Sequence, residues 1–482
     1  MIAGETGEYS VGETMYQDTI AAIATAIGEG GIGIVRVSGP EAGAVAGRVF
    51  RRARGKAAPL PSHRLIYGLI VDPESGATID EALAVRMAAP HSYTREEVVE
   101  LQCHGGPIAT RETLRACLRA GARPAEPGEF TLRAFVNGRL DLAQAEAVLG
   151  IVGARTPEAL GVAVAGLRGR LGGELRPTRD RLIDALAYLD ASADFPEDEI
   201  PPSDVGAALA EAAARLDTLA RRAAVGTLYR EGVRVAIVGR PNVGKSSLLN
   251  ALLREDRAIV TPVAGTTRDV ITESITLRGI PVVLLDTAGI AATTDQIEQL
   301  GIARSRAALS AAALVLFVLD ASAPPSPDDL SVATALRERL GADDEGGGVL
   351  LVLNKADLPT DTNPSHDAVR SILPAARVVT LSARTGAGLA DLEDALYALA
   401  IGAAGDLTAE TDPALATTRQ RETIARARDA ARHAADAFDA GVPLDLVAVD
   451  ARAALVAIGE ITGETASEAI LDAIFSRFCI GK

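Results

Sequence analysis

The residues best suited to do chemistry stand in Gly239-Arg-Pro-Asn-Val-Gly244-Lys245-Ser246. The spacing is GxxxxGK[ST], a loop that turns backbone N–H groups inward around phosphate oxygens. The N-terminus of a following helix adds positive potential. Lys245 is placed to reach the β- and γ-phosphates, and the Ser246 hydroxyl to ligate Mg²⁺. Asn242, Val243, Gly244 and Ser247 complete the cradle. The positioning elements lie on either side: a β-rich apolar run (Val233, Val235, Ile237, Val238) before the loop, and Leu248, Leu249, Leu252 and Leu253 at helical spacing after it. Strand, loop, helix is the context the motif requires.

Downstream, the motifs follow the order of a Ras-like GTPase. Gly265-Thr266-Thr267-Arg268-Asp269 reads as switch I, with Thr267 offering the second Mg²⁺ hydroxyl. Asp286-Thr287-Ala288-Gly289 closes an apolar strand, where a Walker-B Asp belongs, and Gly289 offers its N–H to the γ-phosphate. Asn354-Lys355-Ala356-Asp357 follows another strand. The Asp357 carboxylate can accept from guanine N1–H and the N2 amino group, a donor pair that adenine lacks. Ser382-Ala383-Arg384 follows the next strand and presents a backbone N–H to guanine O6. Together these motifs select GTP over ATP.

The group that orients the attacking water is not fixed by spacing. Ile290, not Gln, follows Gly289. Glu298 is the nearest carboxylate of the switch II segment, and it reads equally as a solvated helix charge. Arg268 is a charge-neutralising finger or a surface residue. The Asn242 carbonyl can ligate a monovalent cation beside the β- and γ-phosphates, electrostatic work otherwise done by an arginine finger.

The chain has 482 residues, 48% apolar, enough for several cores, and its richness in Ala predicts helix packing through small side chains. A net charge of −16 disfavours non-specific binding to nucleic acid. Cys103, Cys117 and Cys479 make no disulfide framework, and 5 scattered histidines make no zinc set. These features, with no apolar run long enough for a bilayer and no presequence pattern, predict a cytoplasmic protein with no membrane segment.

The fold class expected is multidomain. Residues 1–136 read as an α+β domain, with strand-like runs at Thr19–Ala26, Ile32–Val37, Arg64–Val71, Glu81–Ala88 and Val98–Gln102. Gly28-Glu-Gly30-Gly-Ile-Gly33 fits GxGxxG, yet Ile34-Val35-Arg36-Val37 directly after it is strand-like, so a close-approach glycine turn is expected rather than a dinucleotide site. Residues 137–230 read as helical, with helices at Asp141–Val152, Pro157–Leu171, from Pro177 to Asp190, and from an N-cap at Ser203 or Asp204 to Ala224. Residues 231–400 alternate strands and helices, with Arg278-Gly279 as a hairpin turn and Ala323–Asp329 as a surface loop. Residues 401–482 are helical again. One helical bundle interrupted by an inserted α/β nucleotide domain is the economical reading; two separate helical modules is the other.

From Asp18 onward the chain resembles the bacterial tRNA uridine-modification GTPases known as MnmE or TrmE. The matching stretches are Asp18-Thr-Ile-Ala-Ala-Ile-Ala-Thr, Gly30-Gly-Ile-Gly-Ile-Val-Arg-Val-Ser-Gly39, His104-Gly-Gly-Pro107, Pro127-Gly-Glu-Phe130, Leu140-Asp-Leu-Ala-Gln-Ala-Glu-Ala147 and Phe478-Cys-Ile-Gly-Lys482. The resemblance implies a K⁺-stimulated GTPase, with potassium held by Asn242 and the segment Thr261–Thr266 (Thr261, Val263 and Thr266), and with Glu298 orienting the water. It implies an N-terminal homodimerisation domain that binds a tetrahydrofolate derivative, in 5,10-methylene or 5-formyl form, through Arg36, Glu100, Arg139 and Lys482. It implies Cys479 as the reactive thiol, although an ordinary buried cysteine fits that position as well. It also implies a FAD-binding partner (MnmG, or GidA), with which the family adds a carboxymethylaminomethyl-type group to C5 of the tRNA wobble uridine. Glu29 stands where the family has a basic residue, Arg139 where it has Lys, and Cys103 where it has a small residue. The competing reading is an Era-type ribosome-assembly or RNA-binding GTPase switch. The Arg-rich stretches Arg111–Arg123 and Arg419–Arg432 are tRNA contacts or solvated helix faces.

Overall fold

The computed structural model describes residues 17–54, 59–194, 204–255, 272–286, 312–340, 348–359, 365–402 and 417–482. Its strands are β1 (Ile20–Ile23), β2 (Gly30–Ser38), β3 (Phe50–Arg52), β4 (Ile66–Val71), β5 (Thr78–Met87), β6 (Val98–Gly105), β7 (Arg123–Pro124), β8 (Val233–Val238), β9 (Thr272–Leu277), β10 (Ile280–Asp286), β11 (Leu314–Asp320), β12 (Val349–Asn354) and β13 (Arg377–Thr380). Its helices are α1 (Ala42–Val49), α2 (Pro107–Arg119), α3 (Glu129–Val136), α4 (Leu142–Gly153), α5 (Pro157–Leu167), α6 (Arg170–Asp194), α7 (Val205–Glu231), α8 (Lys245–Glu255), α9 (Pro327–Leu340), α10 (Asp367–Ile372), α11 (Leu389–Gly402), α12 (Thr418–Asp439), α13 (Leu444–Thr462) and α14 (Glu468–Phe475). The chain divides into two compact units: Met1–Leu149 with Val456–Lys482, and Gly150–Leu455.

The first unit is built on a seven-stranded sheet in the order β3-β4-β5-β6-β2-β1-β7. All its pairings are antiparallel except β1 with β7. Alternation along β6 sends Val99, Leu101 and Cys103 into a core shared with α1 and α2. It leaves Glu100, Gln102 and His104 on the other face. Gly33 is glycine because α2 crosses it: a Cβ there would lie 2.0 Å from Thr110 Cγ2. The GxGxxG stretch therefore runs into a strand under a helix, and opens no helix of its own. The segment Val456–Lys482 completes this unit, with Ile474, Phe475 and Phe478 packed on Leu142 and Ala145. The strands β3 and β7, of three and two residues, are too short to carry an alternation pattern.

The second unit holds a six-stranded sheet in the order β13-β12-β11-β8-β10-β9. Every pairing is parallel except the β9–β10 hairpin at the edge, which is the Ras-like arrangement. The hairpin turn is Arg278-Gly279, both with positive φ (47° and 86°). Val235 and Ile237 of β8 face a core with α8 and α11. Ala236 and Val238 face a second core closed by α9 and α10. Helices thus cover both faces, and the strands read as continuous apolar runs. Ala323–Asp329 is not all loop: α9 begins at Pro327, whose fixed φ suits a first helical turn.

Two helix boundaries differ from the sequence reading. Pro177 does not start a helix but lies inside α6. The break falls instead at Gly169, with φ at 80°. A proline ring meets the carbonyl of residue i−4, here Gly173, and the pair Gly172-Gly173 leaves that turn free to adjust. α7 starts as expected, with the Asp204 side chain accepting from Ala207 N–H at 3.1 Å. It then runs past Ala224 to Glu231, because Val225, Gly226 and Thr227 stay buried and only Gly232 (φ 74°) lets it end. α12 packs on α7. Alanines dominate the buried faces of both (Ala427, Ala431 and Ala434 on one, Ala212, Ala213 and Ala223 on the other), as the composition predicts. Phe195-Pro196 and Pro201-Pro202 lie outside the described residues. No helix among the described residues is long and apolar enough to cross a membrane.

Candidate nucleotide site and the Arg36 cluster

The phosphate loop connects β8 to α8 at the C-terminal edge of the second sheet, where ligands of open α/β sheets bind. Asn242 and Gly244 have positive φ, 64° and 96°. A Cβ on Gly244 would lie 2.3 Å from Asn354 Nδ2, so contact as well as dihedral demands glycine there. Lys245 Nζ donates to the Gly239 and Arg240 carbonyls at 2.7 and 2.8 Å, which turns the ammonium into the loop. Ser246 and Ser247 lie in the first turn of α8, both exposed.

Asn354 ties the loop after β13 to the phosphate loop. Its Nδ2 donates to the Val243 carbonyl at 2.9 Å, and its Oδ1 accepts from Ala383 N–H at 3.0 Å. Lys355 donates from Nζ to Asp320 Oδ2 at 2.7 Å. Ser382 Oγ donates to Asp357 Oδ1 at 2.5 Å, and Arg384 Nη2 pairs with Oδ2 at 2.7 Å. These donors, Ser382 first, hold the Asp357 carboxyl below the ordinary range, so it is an ionised acceptor at neutral pH. A cavity of about 580 Å³ opens here, lined among others by Gly244, Ser247, Asn354, Asp357, Ala383 and Leu389. It combines an apolar wall, a fixed carboxylate and a glycine loop, which suits a purine with phosphates. Ala356 is exposed beside it.

Asp286 ends β10, opposite Ile237 of β8. Thr261, Val263, Thr266, Thr267, Thr287, Ala288, Gly289 and Glu298 lie outside the described residues. Asp320, the partner of Lys355, escaped the sequence reading. Its signal was its place at the end of β11, in the same row of strand ends as the phosphate loop.

A second cluster lies in the first unit. Arg36 and Glu100 are cross-strand partners on β2 and β6, with Arg36 Nε donating to Glu100 Oε1 at 2.9 Å. The Arg36 guanidinium sits 5.6 Å from the ring centres of both Tyr93 and Phe130. Arg139 lies over the same tyrosine at 4.7 Å and donates to its carbonyl at 2.9 Å. The segment around Lys482 closes the cluster: Phe130 N–H donates to the Lys482 carbonyl at 3.2 Å, and Lys482 N–H to the Cys479 carbonyl at 3.3 Å. Cys479 is exposed, not buried. The structure thus brings Arg36, Glu100, Arg139 and Lys482 together around Tyr93 and Phe130, two rings not singled out from sequence. Behind them Arg133, wholly buried, donates to Asp18, Glu96 and Glu129. Burial alone would raise the Glu129 carboxyl; Arg123 and Arg133 outweigh it and hold it below the ordinary range.

The family model described as GTP-binding protein TrmE N-terminus matches residues 19–139, and the MnmE helical domain model matches residues 142–479. A tRNA modification GTPase MnmE of Roseiflexus sp. (strain RS-1) is 49% identical over 483 residues, covering 97% of this chain and 100% of its own. That of Symbiobacterium thermophilum is 50% identical over 476 residues, with the same shares. A solved structure of Aquifex aeolicus Era bound to GDP.AlF4⁻ aligns at 26% identity over 41% of this chain and 66% of its own. Its TM-score of 0.27 is too low to carry any inference. On the family models and the near-full-length relatives, the chain belongs to the MnmE family of tRNA modification GTPases, and is itself a GTPase acting in tRNA modification.

Proposed function

We propose that GTP hydrolysis at the Asp357 cavity serves the addition of a carboxymethylaminomethyl-type group to C5 of the tRNA wobble uridine, using a one-carbon unit from a tetrahydrofolate held at the Arg36 cluster. The observation that carries this reading is the convergence of Arg36, Glu100, Arg139 and the Gly481-Lys482 segment around Tyr93 and Phe130. The donor set fits a folate. Glu100, oriented by its Arg36 pair, is an acceptor for the amino-pyrimidinone edge, the aromatic rings suit a flat heterocycle, and Arg139 and Lys482 are cations for carboxylates. When bound, the folate supplies the one-carbon unit. The exposed Cys479 thiol is the candidate nucleophile of the modification step.

In the nucleotide site, Lys245 neutralises phosphate charge, Ser246 and Thr267 hold Mg²⁺, and Glu298 orients the attacking water. Asn242, Thr261, Val263 and Thr266 hold K⁺. The working form is a cytoplasmic homodimer that forms a heterotetramer with the FAD-binding partner and acts on tRNA. Its plan is residues 1–136 for folate and dimerisation, a helical bundle from 137–230 and 401–482, and the G domain at 231–400.

Calorimetry with 5-formyl-tetrahydrofolate tests the one-carbon site. Arg36→Ala and Glu100→Ala should each weaken binding about tenfold or more, the scale of a lost charge-assisted hydrogen bond. Undiminished binding in both would remove the site. For the cation, GTP hydrolysis in KCl should exceed that in NaCl at matched ionic strength; equal rates would withdraw the K⁺ assignment.

A further inference from the structure

The carboxylate that reads the base is shared with a side chain of its own neighbouring loop. Asp357 Oδ1 takes the Ser382 hydroxyl, and Oδ2 takes Arg384 Nη2 at 2.7 Å. Asp357 is largely enclosed, with 13% of its side chain exposed, whereas 75% of the Arg384 side chain is exposed. Arg384 is therefore held at this end by little besides the carboxylate itself. Its chemistry matches the ligand's. The guanine edge that meets an aspartate is a carbon bearing three nitrogens, with N1–H and the N2 amino group as parallel donors, and a guanidinium has the same layout. Hypoxanthine keeps N1–H but has no amino group.

We propose that Arg384 is a resident competitor for the guanine edge, and so a residue that sets how strongly the site prefers guanine over hypoxanthine. Guanine must take both carboxylate oxygens, so at Oδ2 its amino group competes with the Arg384 guanidinium, a charged donor far bulkier than the Ser382 hydroxyl at Oδ1. Hypoxanthine, with one donor, needs only one oxygen and leaves the Arg384 pair in place. The arginine thus handicaps guanine and not hypoxanthine. Solvent screens a pair whose arginine is this exposed, so the handicap is about two- to fivefold. The inference rests on reading this cavity as the guanine site.

The test is equilibrium binding of GDP and IDP to the full-length protein and to its Arg384→Met variant, which keeps the stem but has no donor. Loss of the positive field weakens both diphosphates alike and cancels in their ratio. The GDP/IDP preference should rise about two- to fivefold in Arg384→Met. An unchanged ratio would show that the pair is energetically silent, and a lower ratio would show that Arg384 supports the base; either overturns the proposal. Asp357→Asn, measured in parallel, separates the two levels. If that variant binds GDP as well as the parent chain, the guanine reading itself fails. If it loses GDP while Arg384→Met leaves the ratio unmoved, only the competitor fails.

Discussion

Asp357→Asn will weaken GTP binding by about 100-fold and transfer preference to xanthosine triphosphate, the scale on which a mismatched hydrogen-bonding pair costs a ligand. The amide keeps the side chain's shape, and its oxygen still accepts from Ser382 Oγ, so the loop geometry around Asn354 and Ala383 is retained. The second position changes from an acceptor to an N–H donor, which also releases Arg384. Facing guanine, that donor meets the N2 amino group, donor against donor. Facing xanthine, it meets a carbonyl oxygen, while the amide oxygen still takes N1–H. Titration with fluorescent GTP and competition by xanthosine triphosphate give both affinities. Unchanged GTP affinity, or no gain for the xanthine nucleotide, would place base recognition elsewhere.

If the Arg36 cluster holds a folate as proposed, Gly481→Ala will abolish its binding and tRNA modification and leave GTP hydrolysis in place. Gly481 has φ of 95°, a conformation that costs a residue with a side chain about 1–3 kcal/mol. An added Cβ would also sit 2.2 Å from the Ile23 carbonyl oxygen, which belongs to strand β1 and cannot move without breaking the sheet. The segment must lift away. Lys482 then loses its bond from Phe130, and the Gly481 carbonyl, 3.5 Å from Arg36 Nη1, leaves the cluster. Phe475 and Phe478 stay packed on Leu142 and Ala145, so the unit keeps its fold. Calorimetry with 5-formyl-tetrahydrofolate beside a GTPase assay separates the two effects. Folate binding equal to that of the parent chain would show that docking of this segment is dispensable.

The features legible in the sequence are the local ones. The phosphate loop, Asn354–Asp357 and Ser382–Arg384 are short runs whose chemistry and flanking strands lie within a few residues of each other, and β8, β11 and β12 announce themselves as apolar runs. Arg36, Glu100, Arg139 and Lys482 were joined only by the family resemblance. Arg36, Tyr93, Arg139 and Gly481 come from four distant places, and no spacing rule joins them. The same holds for Asp320, which matters only because Lys355 lies across from it at the end of the next strand. Pro177 misled because a proline marks a helix start far more often than a helix interior, and the two glycines before it relieve the usual penalty. Gly33 showed that something must come close, but not that Thr110 would be the visitor.

The make-up of the first unit sets the order in which this protein can mature. Met1–Leu149 leaves the ribosome early, but the hydrophobic cluster on Leu142 and the cap over β1 wait for Ile474, Phe475, Phe478 and Gly481. Roughly 300 residues, Gly150–Leu455, are synthesised in between, about 15–60 s at ~5–20 residues per second. By the end of that interval the nucleotide unit has every strand of its sheet, while the Arg36 cluster still lacks a wall. A ribosome that stalls late therefore holds a chain with its nucleotide sheet complete and its Arg36 cluster unfinished. The first-made sheet of a nascent chain thus stays incompletely covered until the last residues emerge.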